Sequence, residues 1–238
     1  MNHLRTKIIW LTVFSIAMGF LEAAVVVYLR KMYYPNGFHF PLTVVEPDIG
    51  LTEFLREAAT IIMLLAIGIL TGKNTSQKFG IFIFCFAIWD IFYYVFLKAL
   101  IGWPESLFTW DILFLIPVPW VGPVLAPCLV SLTMIVLTSA VIYFQERGVD
   151  VHIKTREWTL LIAGALVVIL SFIQDYLRYC NINHRGVALP GKDALFAEIK
   201  TYVPLSFNWY VFIVGEVLII AAIVLFIKRA KAKQKQSL

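Results

Sequence analysis

Residues 79–101 read FGIFIFCFAIWDIFYYVFLKALI, with two charged side chains, Asp90 and Lys98, in the whole run. About 20 apolar residues at ~1.5 Å rise each are enough to cross a ~30 Å hydrocarbon core. The stretch therefore predicts a transmembrane helix. Asp90 lies 12 residues from Lys78 and 12 from Gly102, which puts its carboxyl near the midplane. A charge at that depth costs roughly 2.5–3.5 kcal/mol on insertion scales, so such residues are seldom idle.

Working outward, the rest of the chain has the same character. Of its 238 residues 61% are hydrophobic and 15% charged, with a mean hydropathy of +0.83. Soluble domains run near 45–50% apolar and about 25% charged, so the composition is that of a membrane protein. Six spans are predicted, at 8–29, 55–72, 79–101, 119–144, 157–179 and 206–227, in one polytopic transmembrane domain covering 1–238. The fold class is an all-α integral membrane bundle. The first run is longer than the 7–15-residue core of a signal peptide and ends at Arg30-Lys31, so it is read as a retained helix.

With the N-terminus inside, the cytoplasmic segments carry Arg5, Lys7, Lys73, Lys78, Arg147, Lys154, Arg156, Lys228, Arg229, Lys231, Lys233 and Lys235, 12 of the 20 basic residues. Excess Lys and Arg marks the cytoplasmic side. Both termini are expected there, in a bacterial inner (plasma) membrane. The basic tail suits anionic lipid rather than nucleic acid. Cys85, Cys128 and Cys180 form no disulfide framework or metal-binding pair spacing, and packing accounts for them.

The loops expected outside are the longer ones. Residues 31–54 carry Tyr33-Tyr34-Pro35-Asn36-Gly37 and Glu46-Pro47-Asp48, which read as turns with interfacial aromatics. The segment 103–118 is nearly as apolar as a span but too short and proline-broken to cross. It predicts a re-entrant or interfacial dip into the bundle. Residues 193–203 place Leu195, Phe196, Ile199 and Tyr202 at helical spacing, an amphipathic helix on the outer surface that Pro204 ends. The tripeptides Trp89-Asp90-Ile91 and Trp110-Asp111-Ile112 match, but their flanks do not, so no duplication is inferred.

Two further carboxylates, Glu22 and Glu216, lie in other spans, and no basic residue is expected at comparable depth. Glu22, Asp90 and Glu216 are thus the candidate catalytic, binding or metal-ligating trio. Tyr94 follows Asp90 at i+4 and Lys98 at i+8; Asn208 precedes Glu216 by two turns, and with Tyr94 and Gln174 it is a candidate hydrogen-bond partner. Arg56-Glu57, Asp111, Asp175 and Arg178 are expected to ring the outer mouth of the pocket, with ion pairs Arg56–Glu57 and Asp175–Arg178.

An acid without a cationic partner in a low-dielectric interior holds a proton or recruits a cation. Oxygen-only ligation would favour a hard divalent ion such as Mg²⁺, Ca²⁺ or Mn²⁺. His3, His39, His152 and His184 are all in termini or loops, which excludes haem b ligation, and no CxxCH exists for haem c. No glycine-rich phosphate loop points to a nucleotide. Ala87–Tyr94 resembles the Trp-Glu-x-x-Tyr segment of small integral-membrane terpene cyclases, with Asp90 where that segment has Glu, over eight residues. The resemblance implies Asp90 as a general acid.

Three readings follow. The first is transport of an ion or small solute through an outward-facing carboxylate pocket that binds protons or a cation. The second is an intramembrane enzyme on a lipid or isoprenoid substrate, with Asp90 as general acid, Glu22 or Glu216 as base or metal ligand, and Trp89, Phe92, Tyr93, Trp110 and Trp209 shaping an apolar pocket. The third is a non-catalytic subunit of a larger complex or oligomer. The bilayer is the one partner common to all three, beside a small-molecule or lipid ligand in the first two.

Overall fold

The computed structural model describes residues 2–43, 45–115, 118–149, 152–183 and 201–236. Six helices carry the fold: α1 (Asn2–Tyr33), α2 (Pro47–Thr71), α3 (Thr75–Ile101), α4 (Leu125–Glu146), α5 (Thr155–Asn183) and α6 (Trp209–Gln236). All six are long and apolar enough to cross a membrane. The chain is a multi-pass helical membrane protein. Between α3 and α4 run two short strands, β1 (Trp110–Phe114) and β2 (Trp120–Pro123).

Helix ends depart from the expected spans for local reasons. Glu46-Pro47-Asp48, read as a turn, opens α2 instead. Proline suits the first helical turn because it lacks an N–H there anyway, and Asp48 complements the dipole. Asn74 starts α3 by accepting from Gln77 N at 3.0 Å, and Gly102, at φ 71°, ends it in the left-handed region that glycine adopts without strain. The basic tail stays helical to Gln236.

Side-chain contacts fix the helix order. Leu11 and Met18 of α1 pack with Ile81, Cys85 and Trp89 of α3, and further along Ala23 and Val27 meet Leu97, so α1 and α3 run parallel. A Cβ on Gly19 would meet the Trp89 carbonyl oxygen at 2.9 Å, so this crossing is close. Thr138 of α4 donates to the Gly80 carbonyl of α3 at 2.8 Å, and Ser131 lies against Asp90, an antiparallel pair. Beyond α4 stands α6, with Phe144 beside Phe226, and α5 closes against α6. The α5–α6 crossing is also close. A Cβ on Gly164 would meet the Gly215 carbonyl oxygen at 2.8 Å, and one on Gly215 would meet the Gly164 carbonyl oxygen at 2.9 Å. Small residues let membrane helices approach like this.

The connection expected as an irregular dip is a paired antiparallel ribbon. Asp111 faces Gly122 and Phe114 faces Trp120, with an irregularity between Ile112 and Phe114. Pairing gives backbone groups partners where water is scarce, the constraint that governs chains inside a bundle. It also moves the start of α4 from the expected 119 to Leu125. The Phe114 ring lies nearly parallel to Phe86 at 6.3 Å and touches Trp89 at 6.3 Å, level with the middle of α3. On the other strand Trp120 stacks on Phe172 of α5 at 6.3 Å and 10°. The ribbon is a wedge between α1–α3 on one side and α5–α6 on the other.

The expected surface helix 193–203 lies outside the described residues over 193–200. Its end, 201–203, is turn and irregular chain.

Candidate functional site

The ribbon end of the bundle, where α1, α3 and α5 finish, gathers the charged side chains. Arg30, at the end of α1, reaches Asp111 of β1 at 3.1 Å, and both side chains are almost completely buried. The guanidinium lies against two rings, 3.6 Å from the centroid of Trp103 and 4.4 Å from that of Phe38. Such stacking adds roughly 2 kcal/mol where the cation is desolvated. Tyr94 donates to the other Asp111 oxygen at 3.2 Å, and Tyr93 lies against the same carboxyl. Burial raises the Asp111 carboxyl above the usual range, and Arg30 pulls against that shift.

A second charged group stands beside it. Arg56 of α2 pairs with Glu22 of α1 and with Glu53 one turn back, its Nε meeting Glu53 at 2.9 Å. Glu22 is therefore not a lone acid. The expectation failed because α2 begins eight residues earlier than 55, which carries Arg56 into the bundle beside Glu22. Nor does Arg56 pair with Glu57. Adjacent helical residues point about 100° apart, and Glu57 turns to the ribbon, where it accepts the Leu115 N–H at 3.1 Å. Tyr93 lies within electrostatic range of Asp111, Arg30, Glu22 and Arg56, so it stands between the two groups.

Asp90 lies deeper, eleven residues in from Ile101, roughly 16 Å along α3. Its hydrogen-bond partner is Ser131 of α4, which donates at 2.9 Å. No cation stands within ion-pair distance of it among the described residues. Asp111, Tyr94 and Cys128 are its polar neighbours. The two matching Trp-Asp-Ile tripeptides thus bring their aspartates into one neighbourhood although the flanking sequence is unrelated. Lys98, on the same stripe, turns away and donates to the carbonyls of Gly102 and Pro104.

Glu216 does not join them. It accepts from Thr133 of α4 at 2.8 Å, and its second oxygen has no partner among the described residues. Ser131 and Thr133 are two residues apart, roughly 200° around a helix. Asp90 and Glu216 therefore lie on opposite sides of α4. Among the described residues no three His, Cys, Asp or Glu side chains stand close enough together to hold a metal ion. The expected trio is not one site.

The remaining candidates form a separate cluster across the ribbon. Asp175 of α5 accepts from the Tyr202 hydroxyl at 2.7 Å and from Leu205 N at 3.2 Å. The Gln174 amide, oriented by the donors around it, accepts from both terminal nitrogens of Arg178 (3.0 and 2.7 Å) and from Asn208 Nδ2 at 3.0 Å. The expected Asp175–Arg178 pair is replaced by these contacts. Asn208 also accepts from Val211 N at 3.2 Å, which caps α6 and removes it as a partner for Glu216. Burial, then the bond to Asp175, raises the Tyr202 phenol well above its ordinary value of 10.0.

Arg30, Glu53 and Ser131 were missed as site residues. Arg30 reads as a positive stop at a helix end, and Ser131 as one hydroxyl in an apolar span. No signal in the sequence sets Ser131 apart from Thr133, Thr138 and Ser139 on the same helix.

In comparison with known proteins, no family model, curated protein or solved structure matches this chain.

Proposed function

We propose that the chain binds a proton or a small cation at Asp90 in the course of moving an ion or small solute across the membrane. The carrying observation is an asymmetry among the acids. Glu22 and Asp111 each meet an arginine, and Glu57 a backbone N–H, while Asp90 and Glu216 each meet one hydroxyl and, among the described residues, no cation; of these two only Asp90 adjoins Asp111 and Tyr94. A carboxyl in that position is left to take its compensation from solution.

Asp111 and Tyr94 lie between Asp90 and the ribbon end, so hydrogen-bonding groups lead inward from that side. We assign that side to the outside, with both termini in the cytoplasm, on the charge bias of the connections. The ribbon is then a re-entrant element descending from the outer face, a reading supported by the contact of Phe114 with Phe86 and Trp89 halfway along α3. In this orientation Arg229 of α6 binds Glu157 of α5 at 2.8 Å near the inner face, and Lys7 meets the Thr71 carbonyl there. These contacts tie the cytoplasmic ends of the helices together.

The test is proton- or cation-driven flux in proteoliposomes. The native protein should carry a pH- or cation-dependent flux that Asp90→Asn abolishes and Glu216→Gln leaves largely intact. Equal flux in native and Asp90→Asn proteins would remove the proposal.

A further inference from the structure

The end of the bundle opposite the ribbon gathers lysines that proton binding at Asp90 does not use. Three of them converge on the turn between α2 and α3. Lys7 of α1 donates its ammonium to the carbonyl of Thr71, the last residue of α2. Lys73 lies in the turn itself, exposed and within electrostatic range of Lys7. The Lys78 stem packs over the same turn, for a Cβ on Gly72 would meet the Lys78 Cγ at 2.7 Å. No carboxylate answers these charges. The sequence has no Asp or Glu before Glu22 and none between Glu57 and Asp90. Among the described residues, none stands at ion-pair distance from any of the three lysines.

Like charges gathered in one place raise the local potential and draw an anion. The surface beside them restricts which anion that is. Trp10 lies one turn on from Lys7, on the same face of α1, and is 66% exposed. Leu70, next to Thr71 at the end of α2, is 80% exposed. Both belong to helices long and apolar enough to cross a membrane. A soluble anion has no use for this apolar surface. A phospholipid brings a phosphate for the lysines and acyl chains for Trp10 and Leu70, and basic groups at the ends of membrane helices bind acidic headgroups.

We propose that Lys7, Lys73 and Lys78, around the α2–α3 turn, bind the phosphate of an anionic phospholipid whose acyl chains lie along Trp10 and Leu70. The site stands apart from Asp90 and from the basic tail of α6, and its test reads binding rather than flux.

Purified full-length protein in mild detergent is titrated with phosphatidylglycerol and, in parallel, with zwitterionic phosphatidylcholine, and bound lipid is read by native mass spectrometry. Inorganic phosphate is added as a competitor in a further arm. The variants are Lys73→Gln, the triple variant Lys7→Gln/Lys73→Gln/Lys78→Gln, and Lys228→Gln/Lys231→Gln/Lys235→Gln, which removes the same charge from α6. Saturable binding of phosphatidylglycerol in preference to phosphatidylcholine, weakened roughly fivefold in Lys73→Gln, further in the triple variant and less in the α6 variant, supports the site. Equal binding of the two lipids, unchanged affinity in the triple variant, or an equal loss in the α6 variant overturns it. Displacement of the lipid by inorganic phosphate also overturns it, because the lysines then serve a soluble anion. Should the triple variant fail to purify as a single species, Lys73→Gln decides alone, since its side chain is exposed. A fivefold loss there supports the site, and an unchanged affinity refutes it.

Discussion

Arg30 and Asp111 are joined at 3.1 Å with both side chains almost wholly buried, linking the last turn of α1 to the first strand of the ribbon. The pair fixes the ribbon against α1 and α3, because Tyr94 holds the second Asp111 oxygen and Trp103 covers the guanidinium. Removing one member of a buried pair strands the other, at a cost of about 3–5 kcal/mol, whereas replacing both with apolar groups is often far milder. Arg30→Met and Asp111→Leu should each lower thermal stability in detergent by about that amount, and the double variant should recover most of the loss. An additive double variant would show that the two residues act separately.

Arg56 answers two acids, Glu22 and Glu53, from a single position. Arg56→Met should therefore destabilise more than Glu22→Gln, by roughly 1–3 kcal/mol, since it leaves two carboxylates without their cation while the glutamine leaves Arg56 with Glu53. Denaturation midpoints of the two variants make the comparison.

Gly164 and Gly215 allow α5 and α6 to touch backbone to backbone. Either one replaced by leucine must push the helices apart, for even a Cβ would stand within 3 Å of backbone atoms. A loss of about 1–3 kcal/mol, the usual range for overpacking, is expected in unfolding measurements. Leucine at Gly50, where a Cβ meets nothing, should be close to neutral.

Tyr202 and Asp175 give a pH-dependent contribution with a definite sign. The phenol is raised in the folded state by burial and by its bond to Asp175. Its stabilising effect is thus fully present below the unfolded value near 10.0 and is lost as pH rises through the higher folded value. Against Tyr202→Phe, the native protein should hold an advantage of about 1.5–3 kcal/mol that is constant from pH 6 to 9 and shrinks at higher pH. An advantage that grew above pH 10 would reverse the assignment.

Much of the bundle was legible because one signal, apolar run length, sets membrane helices. Residues 79–101 read as a span and form α3 over Thr75–Ile101. The ribbon was not legible. Ile112–Leu115 is an apolar run too short to distinguish strand from buried helix, and its pairing with 120–123 depends on a partner that reads as the start of the next span. The site was half legible. Asp90, Glu22 and Asp111 were found as charges out of place, but which of them share a neighbourhood depends on rotation about the helix axes. A two-residue offset on α4, Ser131 against Thr133, separates Asp90 from Glu216. The pairing of Arg56 with Glu22 depended on where α2 begins, and Pro47 carries that information in a form easily taken for a turn.

Asp90, set apart from Glu216 by its neighbours Asp111 and Tyr94, is proposed to exchange a proton or cation with solution. Infrared difference spectra of the carboxyl stretch, recorded across pH on the native protein, Asp90→Asn and Glu216→Gln, test it directly. The expected result is a protonated-carboxyl band that titrates in the native and Glu216→Gln proteins and is missing from Asp90→Asn. The same titrating band in Asp90→Asn would contradict it.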